Sequence, residues 1–426
     1  MHPYQGSKGS NKLETSSKKC YSFALMESIF KTIAAGTITS PQGFLAGAAS
    51  CGIKSHKELD ITILYSEKPC VAAGVFTTSA IKAAPIILSG KHLDSRSAQA
   101  LVVNSGCANA CTGDAGMADA GEMANLAAKK LGLAPADVLV SSTGVIGVPL
   151  PMKQIRSGIR KITLASDGGH ELAQAILTTD TLTKEIAVSH EAEPSRFVIG
   201  GVAKGAGMIH PNMATMLCFL STDAMVDASF LQLALQKAVD ASFNMISVDG
   251  DTSPSDMVIL LANGLAGTET INSRNGEAFQ EALDEVCLHL AKSVARDGEG
   301  ATKLIEVIID GALTEAEARL ASRTIASSPL VKSAMHGNDP NWGRIVAALG
   351  RSGAKADESK LDVYLNSICV MEQGCPLLFD KQEASVSLAN KEVSMRLCLN
   401  LGTGKATAWG CDLSEEYVTI NSDYTT

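Results

Sequence analysis

The sequence predicts a mixed α/β fold with a strand-rich C-terminal region. Short apolar runs recur between turn residues in the first part of the chain, and apolar residues at helical spacing follow them. Near the C-terminus, apolar and other residues alternate instead. With 426 residues, 46% hydrophobic and 19% charged, the chain is long enough to bury two or three cores.

Four apolar runs lie between turn-rich segments and are predicted to be buried strands. They are ITILY (61–65), CVAAGVF (70–76), APIIL (84–88) and ALVV (100–103). A further strand is predicted at 138–140. The most apolar run, Met257–Ala262, has the length of a buried strand, whereas a membrane helix needs roughly 18 to 20 apolar residues. No membrane association is therefore expected.

Helices are predicted between and after these strands. Asp114 precedes apolar residues at helical spacing, and their pattern ends near Gly132. Residues 151–162 and 277–296 show the same recurrence, and Asp227 is a suitable N-cap for a helix that ends at 241. Alternation at 361–365, 386–388 and 393–399 then predicts the strand-rich, antiparallel C-terminal region.

Charge and cysteine content exclude several classes of protein. A net charge of −9 gives no reason to expect the clustered basic residues that bind nucleic acid. Eleven widely spaced cysteines without a CxxC pair fit a reducing compartment and offer no zinc-ligand set. Residues 1–36 are predicted to be a disordered extension, with an organelle presequence as the alternative. A cytoplasmic location is expected.

The common catalytic motifs are missing from the sequence. GTGKAT (402–407) lacks the upstream glycine and the following Ser or Thr of a P-loop. His210 and His336 are the histidines of most interest, but neither has a carboxylate partner that spacing reveals, so ordinary hydrogen-bonded histidines are the simpler interpretation. Neither a metal nor a nucleotide cofactor is expected.

One segment has the features of a nucleophile site. Residues 204–224, KGAGMIHPNMATMLCFLSTDA, run from a glycine-rich stretch to Thr215 and then into a strand-like sequence. A threonine at a chain start carries both nucleophile and base, because its own α-amine, with a pKa of about 7.7 to 8.0, can take the hydroxyl proton. The chain must then be cut before Thr215. The simpler interpretation is a β-branched residue that opens a strand.

Nine motifs occur in order between about Gly43 and Thr426. They are GFLAGAASCGIK, NSGCANACTG, SSTGVIG, TTDT, GGVAKGAGMIHPNMATML, SVDGDTSPSDM, RDGEGATK, GNDPNWGRI and EYVTINSDYTT. Together they resemble the glutamate N-acetyltransferase family, also called ornithine acetyltransferases. The resemblance implies a two-lobed fold with self-cleaved α and β chains, and transfer of an acetyl group from N-acetylornithine to glutamate in arginine biosynthesis.

The resemblance also implies how the chain matures. Cleavage between Ala214 and Thr215 would leave an α chain, residues 37–214 after the extension, and a β chain, residues 215–426, that begins with the nucleophile. Two α and two β chains are expected to form a heterotetramer. The acetyl group would pass through acetyl-Thr215 with ping-pong kinetics and without a cofactor, and acetyl-CoA is a second donor for some members of the family.

Site residues follow from the same motifs. Thr143 and Gly144 of SSTGVIG are implied to form the oxyanion hole, although a simple turn would also explain Ser-Thr-Gly. The implied substrate-binding residues are Thr178, Lys204, Thr215, Glu299, Asn421 and Thr426. Charge complementarity assigns Lys204 to the substrate α-carboxylate and Glu299 to an ammonium group, and the alternative is that both are surface charges.

The chain departs from the family pattern at two positions. Cys107 stands where the family often has Asn, and Thr183 stands where a proline commonly precedes Lys184. Neither position is at Thr215, so these departures bear on substrate specificity more than on the catalytic mechanism. Two rival functions are a threonine-nucleophile aminopeptidase or amidase, in which water resolves the acyl-enzyme, and a non-catalytic binding protein that keeps the fold.

Overall fold

A computed structural model describes residues 30–54, 58–192, 196–210, 216–267 and 269–423. Within these ranges the strands are β1 Phe30–Thr32, β2 Phe44–Ala49, β3 Ile61–Phe76, β4 Ser97–Cys107, β5 Val138–Val145, β6 Lys184–His190, β7 Phe197–Lys204, β8 Leu217–Thr222, β9 Ile246–Ser247, β10 Met257–Ala262, β11 Leu304–Ala312, β12 Asp362–Leu365, β13 Ile368–Glu372, β14 Cys375–Pro376, β15 Glu392–Cys398 and β16 Gly404–Cys411. The helices are α1 Ala84–His92, α2 Gly113–Leu131, α3 Met152–Lys161, α4 Gly169–Ala175, α5 Ala228–Ala241, α6 Glu277–Arg296, α7 Glu315–Ala326, α8 Pro329–His336, α9 Trp342–Gly350, α10 Lys381–Leu388 and α11 Glu415–Asp423. None of these described helices combines the length and the hydropathy needed to cross a membrane.

The larger sheet has the strand order β1-β6-β7-β8-β10-β3-β4-β5, with β2 paired to β3 as well. The pairs β8–β10 and β4–β5 are parallel, and the other pairs are antiparallel. Leu101 and Leu139 from one half share a core with Phe219 and Ile259 from the other half. The sheet therefore folds back on itself about the long strand β3, and its two halves face each other.

Helices cover the outer faces of this folded sheet. Met123 of α2 and Ile155 of α3 pack on the half that contains β4 and β5. Leu235 of α5 and Val286 of α6 pack on the half that contains β8 and β10. The result is a layered α-β-β-α arrangement, in which each sheet face buries apolar side chains.

The smaller sheet has the order β14-β13-β12-β15-β11-β16-β9. The pairs among the C-terminal strands, β12–β13, β13–β14 and β12–β15, are antiparallel, which confirms the expectation for this region. The parallel pairs β11–β15 and β9–β16 each join a C-terminal strand to a strand from earlier in the chain. Val307 of β11 belongs to the same core as Val286 of α6, so α6 joins the two sheets.

Most of the predicted elements are present. Helix α2 ends at Gly132, whose φ of +73° suits a C-cap glycine, and Asp227 caps α5 by accepting from the amides of Ser229 and Phe230. The predicted helix at 277–296 and strand at 257–262 have the observed bounds. The prediction for 138–140 is also confirmed, in a strand that continues to Val145.

Two predicted strands are wrong because both segments are helical. APIIL opens α1, where Pro85 occupies the first turn, a position at which a helix does not need the missing N–H. Residues 386–388 lie at the end of α10, whose N-cap Asp380 accepts from the amides of Gln382 and Glu383. A short apolar run is compatible with a strand or a helix. In both segments the helix-start residue, Pro85 or Asp380, indicates the helix.

The predicted strands at 61–65 and 70–76 are one continuous strand, β3. Its register with β4 shifts between Tyr65 and Cys70, so the turn-like residues between them form an irregularity rather than a strand end. Pro69 lies in this stretch, where it has no N–H to give to the ladder. The long β3 allows the sheet to fold over.

The predicted division into 1–36, 37–214 and 215–426 crosses the larger sheet. Phe30–Thr32 of the predicted extension form β1, which pairs with β6. Residues 1–29 lie outside the described ranges. β7 belongs to the predicted α chain and pairs with β8 of the predicted β chain.

Candidate active site

A cavity of about 430 Å³ lies beside the start of β8, the end of β5 and helix α11. Six of the residues predicted from the sequence line it: Thr143, Gly144, Thr178, Lys204, Glu299 and Asn421. The other three, Ala214, Thr215 and Thr426, lie outside the described residues. Met216, which follows the predicted nucleophile in the chain, also lines the cavity.

Thr143 and Gly144 lie near the end of β5, an outermost strand of the larger sheet. Gly144 has a φ of +127° and approaches Gly106 so closely that a Cβ would lie 2.3 Å from the carbonyl carbon of Gly106. Only glycine fits such a backbone. An edge strand turns one side of its backbone away from the ladder, so this segment can direct polar groups into the cavity.

Cys107, the first departure from the family pattern, pairs with Val145 at the end of the same two strands. Its Sγ donates to the carbonyl of Val148 at 3.1 Å, and burial raises the pKa of the thiol. A buried, protonated thiol is a poor nucleophile. Cys107 therefore acts as a packing residue in the strand pair that holds Thr143.

Lys204 ends β7 with its side chain at the cavity wall. Its Nζ donates to Thr178 Oγ1 at 2.7 Å and lies 3.6 Å from Asp180 Oδ2, too far for a good hydrogen bond. An ammonium group has three donors, so Lys204 can direct others at a ligand carboxylate.

Asp180 links Lys204 to a buried ion-pair network. Lys184 Nζ lies 2.6 Å from both Asp180 and Asp297, and the amide of Gly205 donates to Asp180 at 2.6 Å. Burial alone would raise the pKa of Asp180, but the ammonium groups of Lys204 and Lys184 outweigh it and hold that pKa well below its usual range. The network holds the backbone immediately after Lys204, at Gly205. Thr183, the second departure, immediately precedes the buried Lys184.

Glu299 lines the cavity from the loop after α6. Its Oε2 accepts from Asn421 Nδ2 at 2.7 Å, and its amide donates to Ala206 at 2.9 Å. A Cβ on Gly207 would lie 2.4 Å from the carboxylate, so this glycine makes room for it. The residue is 7% exposed, which contradicts the alternative of a surface charge.

The chain matches the ArgJ family model over residues 45–426. It belongs to the ArgJ family. Two relatives carry the name arginine biosynthesis bifunctional protein ArgJ. The protein from Dehalococcoides mccartyi is 55% identical over 405 residues, with 94% of this chain and 100% of the relative covered. The protein from Symbiobacterium thermophilum is 52% identical over 398 residues, with 92% and 99% covered.

A solved structure of ornithine acetyltransferase from Mycobacterium tuberculosis, complexed with ornithine, is also similar. Its chain is 38% identical to this one, the match covers 43% of this chain and 100% of that chain, and the TM-score is 0.41.

Four ionisable residues of the ArgJ cavity were not singled out from the sequence: Asp249, Asp251, Asp256 and Tyr417. Asp249 accepts from the amides of Met208 and Ile209 at 2.6 and 2.9 Å, which holds the backbone shortly before the predicted cleavage position. Burial raises the pKa of Asp249. Burial also raises the pKa of Tyr417, and the negative charge of nearby Asp249 raises it further. The motif SVDGDTSPSDM contained the three aspartates, but sequence spacing carries no information on burial.

Neither histidine of interest lines the cavity. His210 Nδ1 lies 3.0 Å from Ser247 Oγ, and burial together with Arg323 lowers the pKa of His210 to about 4. His336 Nδ1 lies 2.7 Å from Asp412 Oδ2, so this histidine does have a carboxylate partner that spacing had not revealed. Among the described residues, no three His, Cys, Asp or Glu side chains are grouped to hold a metal ion.

Proposed function

We propose that the chain is a glutamate N-acetyltransferase that moves an acetyl group from N2-acetylornithine to glutamate through an acetyl ester of Thr215. Membership of the ArgJ family supports this reaction. The observation that carries the site assignment is the single cavity that gathers Thr143, Gly144, Lys204 and Glu299 beside Met216. This cavity has a cation, an anion and candidate oxyanion donors next to the start of the proposed β chain.

The first half-reaction acylates the enzyme. Cleavage before Thr215 frees its α-amine, which takes the hydroxyl proton as Oγ attacks the acetyl carbon. Thr143 and Gly144 stabilise the charge on the carbonyl oxygen, a contribution of about 2.7 to 4 kcal/mol for each donor in comparable sites. The C–N bond then breaks, the proton passes to the departing nitrogen of ornithine, and the acetyl group stays on Oγ.

The second half-reaction uses the same groups in reverse. The neutral amine of glutamate attacks the ester carbon, the α-amine of Thr215 takes the proton that this nitrogen loses, and Oγ recovers a proton as it leaves. N-acetylglutamate is the product. Exchange of an acetyl group between two amines is nearly balanced in free energy, so the proposal includes no metal or nucleotide.

Lys204 binds the substrate α-carboxylate, and Glu299 faces the side-chain ammonium of ornithine. Thr178 orients Lys204, and Asn421 orients Glu299. Both charged groups are largely buried, so their attraction to a ligand is screened less than at an exposed site. Thr426 completes the proposed substrate set.

Incubation of the purified chain with N-acetylornithine, with and without glutamate, tests the reaction. Mass spectrometry should detect ornithine and N-acetylglutamate in equal amounts only when glutamate is present, and Thr215→Ala should form neither. Release of acetate at the same rate without glutamate would identify an amidase instead. Absence of turnover by correctly cleaved protein would contradict both. Acetyl-CoA with glutamate, as a separate assay, tests the second donor.

The proposal extends to assembly and location. The cleaved chains form a heterotetramer of two α and two β chains in the cytoplasm. The larger sheet supports the pairing of one α with one β chain, because two strands of the proposed β chain lie between strands of the proposed α chain. Native mass spectrometry should give twice the mass of the precursor, and a single α–β pair would contradict the tetramer.

A further inference from the structure

One part of the cavity wall contains polar atoms without partners. Ser255 and Asp256 line the cavity and are only 5% and 2% exposed. Ser255 Oγ and Asp256 Oδ2 are buried and have no hydrogen-bond partner among the described residues. Buried polar atoms in native proteins nearly always have a hydrogen-bond partner. Two such atoms without a partner at a cavity wall therefore indicate a ligand that supplies the missing hydrogen bonds.

The backbone places Asp256 next to the proposed reaction centre. Met257 pairs with Leu217 in the β10–β8 ladder, and the amide of Met257 donates to the carbonyl of Met216 at 3.1 Å. The carbonyl of Asp256 accepts from the amide of Thr77 at 3.0 Å. Asp256 is therefore held beside the first described residue after the predicted nucleophile.

The Asp256 carboxyl keeps an oxygen that can accept a hydrogen bond in either protonation state. Burial raises its pKa well above the usual value, and hydrogen bonds from Ser253 and the charge of Lys204 only partly oppose this effect. The terminal torsion of Asp is soft, so rotation of the carboxyl can turn Oδ2 toward a ligand.

Three polar groups surround the reacting carbon of N-acetylornithine. The proposed function gives the carbonyl oxygen to Thr143 and Gly144 and the α-carboxylate to Lys204. The amide N–H has no assigned acceptor, although a buried donor without one weakens binding. Two oxygens on the wall are unpaired, and Asp256 Oδ2 belongs to the residue next to Met257, whose amide donates to Met216. The charge of Lys204 also acts on the Asp256 carboxyl.

We propose that Asp256 accepts a hydrogen bond from the nitrogen that gives up or takes the acetyl group. This nitrogen is the amide of N-acetylornithine in the first half-reaction and the amine of glutamate in the second. The contact positions the nitrogen relative to the acetyl carbon and selects nitrogen over oxygen at that position. This inference rests on the proposed acetyl transfer and deepens it by adding a specificity residue.

The test compares N-acetylornithine with 5-amino-2-acetoxypentanoate, an ester in which oxygen replaces the reacting N–H. Asp256→Ala should lower kcat/KM for the amide about 10- to 100-fold, the cost of an unpaired buried donor, and change kcat/KM for the ester less than about threefold. Asp256→Asn keeps an acceptor oxygen and should restore most of the activity on the amide. Intact mass identifies the cleaved protein, and only cleaved protein is compared.

Several results would overturn the inference. Equal losses on amide and ester in Asp256→Ala would mean that the carboxyl does not recognise the N–H. An Asp256→Asn variant as impaired as Asp256→Ala would mean that a carboxyl is required and that an acceptor oxygen is not enough. Failure of both variants to cleave would assign Asp256 to maturation instead. If the wild-type protein transfers no acetyl group, the proposed function itself fails, which is a separate outcome.

Discussion

Lys204 does two things at the residue scale, because its ammonium group faces the cavity and also supports a buried carboxylate. Thr178 accepts one of its hydrogen bonds, and Asp180 lies behind it in contact with Lys184 as well. Replacement of Lys204 should therefore affect catalysis and the acid stability of the fold through different partners. The two effects can be measured separately.

Lys204→Met should reduce kcat/KM for N-acetylornithine about 10- to 100-fold, because a charge-assisted hydrogen bond to the substrate carboxylate is lost. Lys405→Met is a matched control, since Lys405 is an exposed lysine with a carboxylate neighbour, Asp310. An unchanged kcat/KM in Lys204→Met would remove Lys204 from the binding site.

Acid unfolding of Lys204→Met tests the second role. The pKa of Asp180 is depressed in the fold, so its stabilisation is complete above the unfolded value of about 3.9 and is lost as pH falls below it. Without Lys204 this depression is smaller. Denaturant titrations should therefore show that the free energy of unfolding falls more for the wild type than for the variant as the pH is lowered from 5. If the free energy of unfolding of both proteins falls equally with pH, Lys204 does not stabilise the Asp180 anion.

The ordered motifs predicted six residues that the structure places at the cavity, but they could not predict its acidic wall. Thr143, Gly144 and Lys204 stand in motifs that identify the family, and the structure places them around one cavity. Asp256 stands in such a motif too, yet its importance follows from burial and from an oxygen without a partner. Both properties depend on strand pairing between distant segments, which a sequence pattern does not encode.

At the scale of elements, α11 packs weakly against the core but lies at the cavity. None of its residues with a described side chain is buried, yet Tyr417 and Asn421 line the cavity. Helices normally gain stability from a buried apolar face, so α11 contributes little to the core. Its contacts with Glu299 and its place at the cavity indicate a role in binding.

Removal of residues 421–426 should therefore impair function more than folding. Loss of the Asn421 hydrogen bond to Glu299 should lower kcat/KM for N-acetylornithine about tenfold or more, because a buried carboxylate oxygen loses its partner. The melting temperature should fall by less than about 3 °C, as expected for a change outside the core. Full activity of the shortened chain would exclude a binding role for the C-terminal residues.

Long periodic helices were predictable from the sequence, whereas short apolar segments were not. Helix α6 shows apolar recurrence over five turns, and its bounds agree with the prediction. APIIL is too short for periodicity to separate helix from strand, and Pro85 at its second position was the overlooked helix signal. The larger sheet folds back on itself about β3. This strand continues through Pro69, and no local sequence pattern predicts that it does.

At the scale of the whole molecule, the proposed chains are interleaved. Strands β8 and β10 of the proposed β chain lie between β7 and β3 of the proposed α chain. Both boundary ladders, β7–β8 and β10–β3, are antiparallel and continuous over their six-residue strands. Separation of the chains would break both ladders and expose the apolar core between the sheet halves.

Cleavage before Thr215 should therefore give two fragments that stay together. Denaturing intact mass and N-terminal sequencing should identify a second fragment that begins with Thr215, while size-exclusion chromatography without denaturant should elute both fragments in one peak. Thr215→Ala, which cannot form the nucleophile, should remain a single chain and elute at the same position, because the sheet does not require the cut. Fragments that separate without denaturant would mean that the ladders do not hold the cleaved enzyme together. An uncut wild-type chain that transfers acetyl groups would mean that the base is a group other than the α-amine of Thr215.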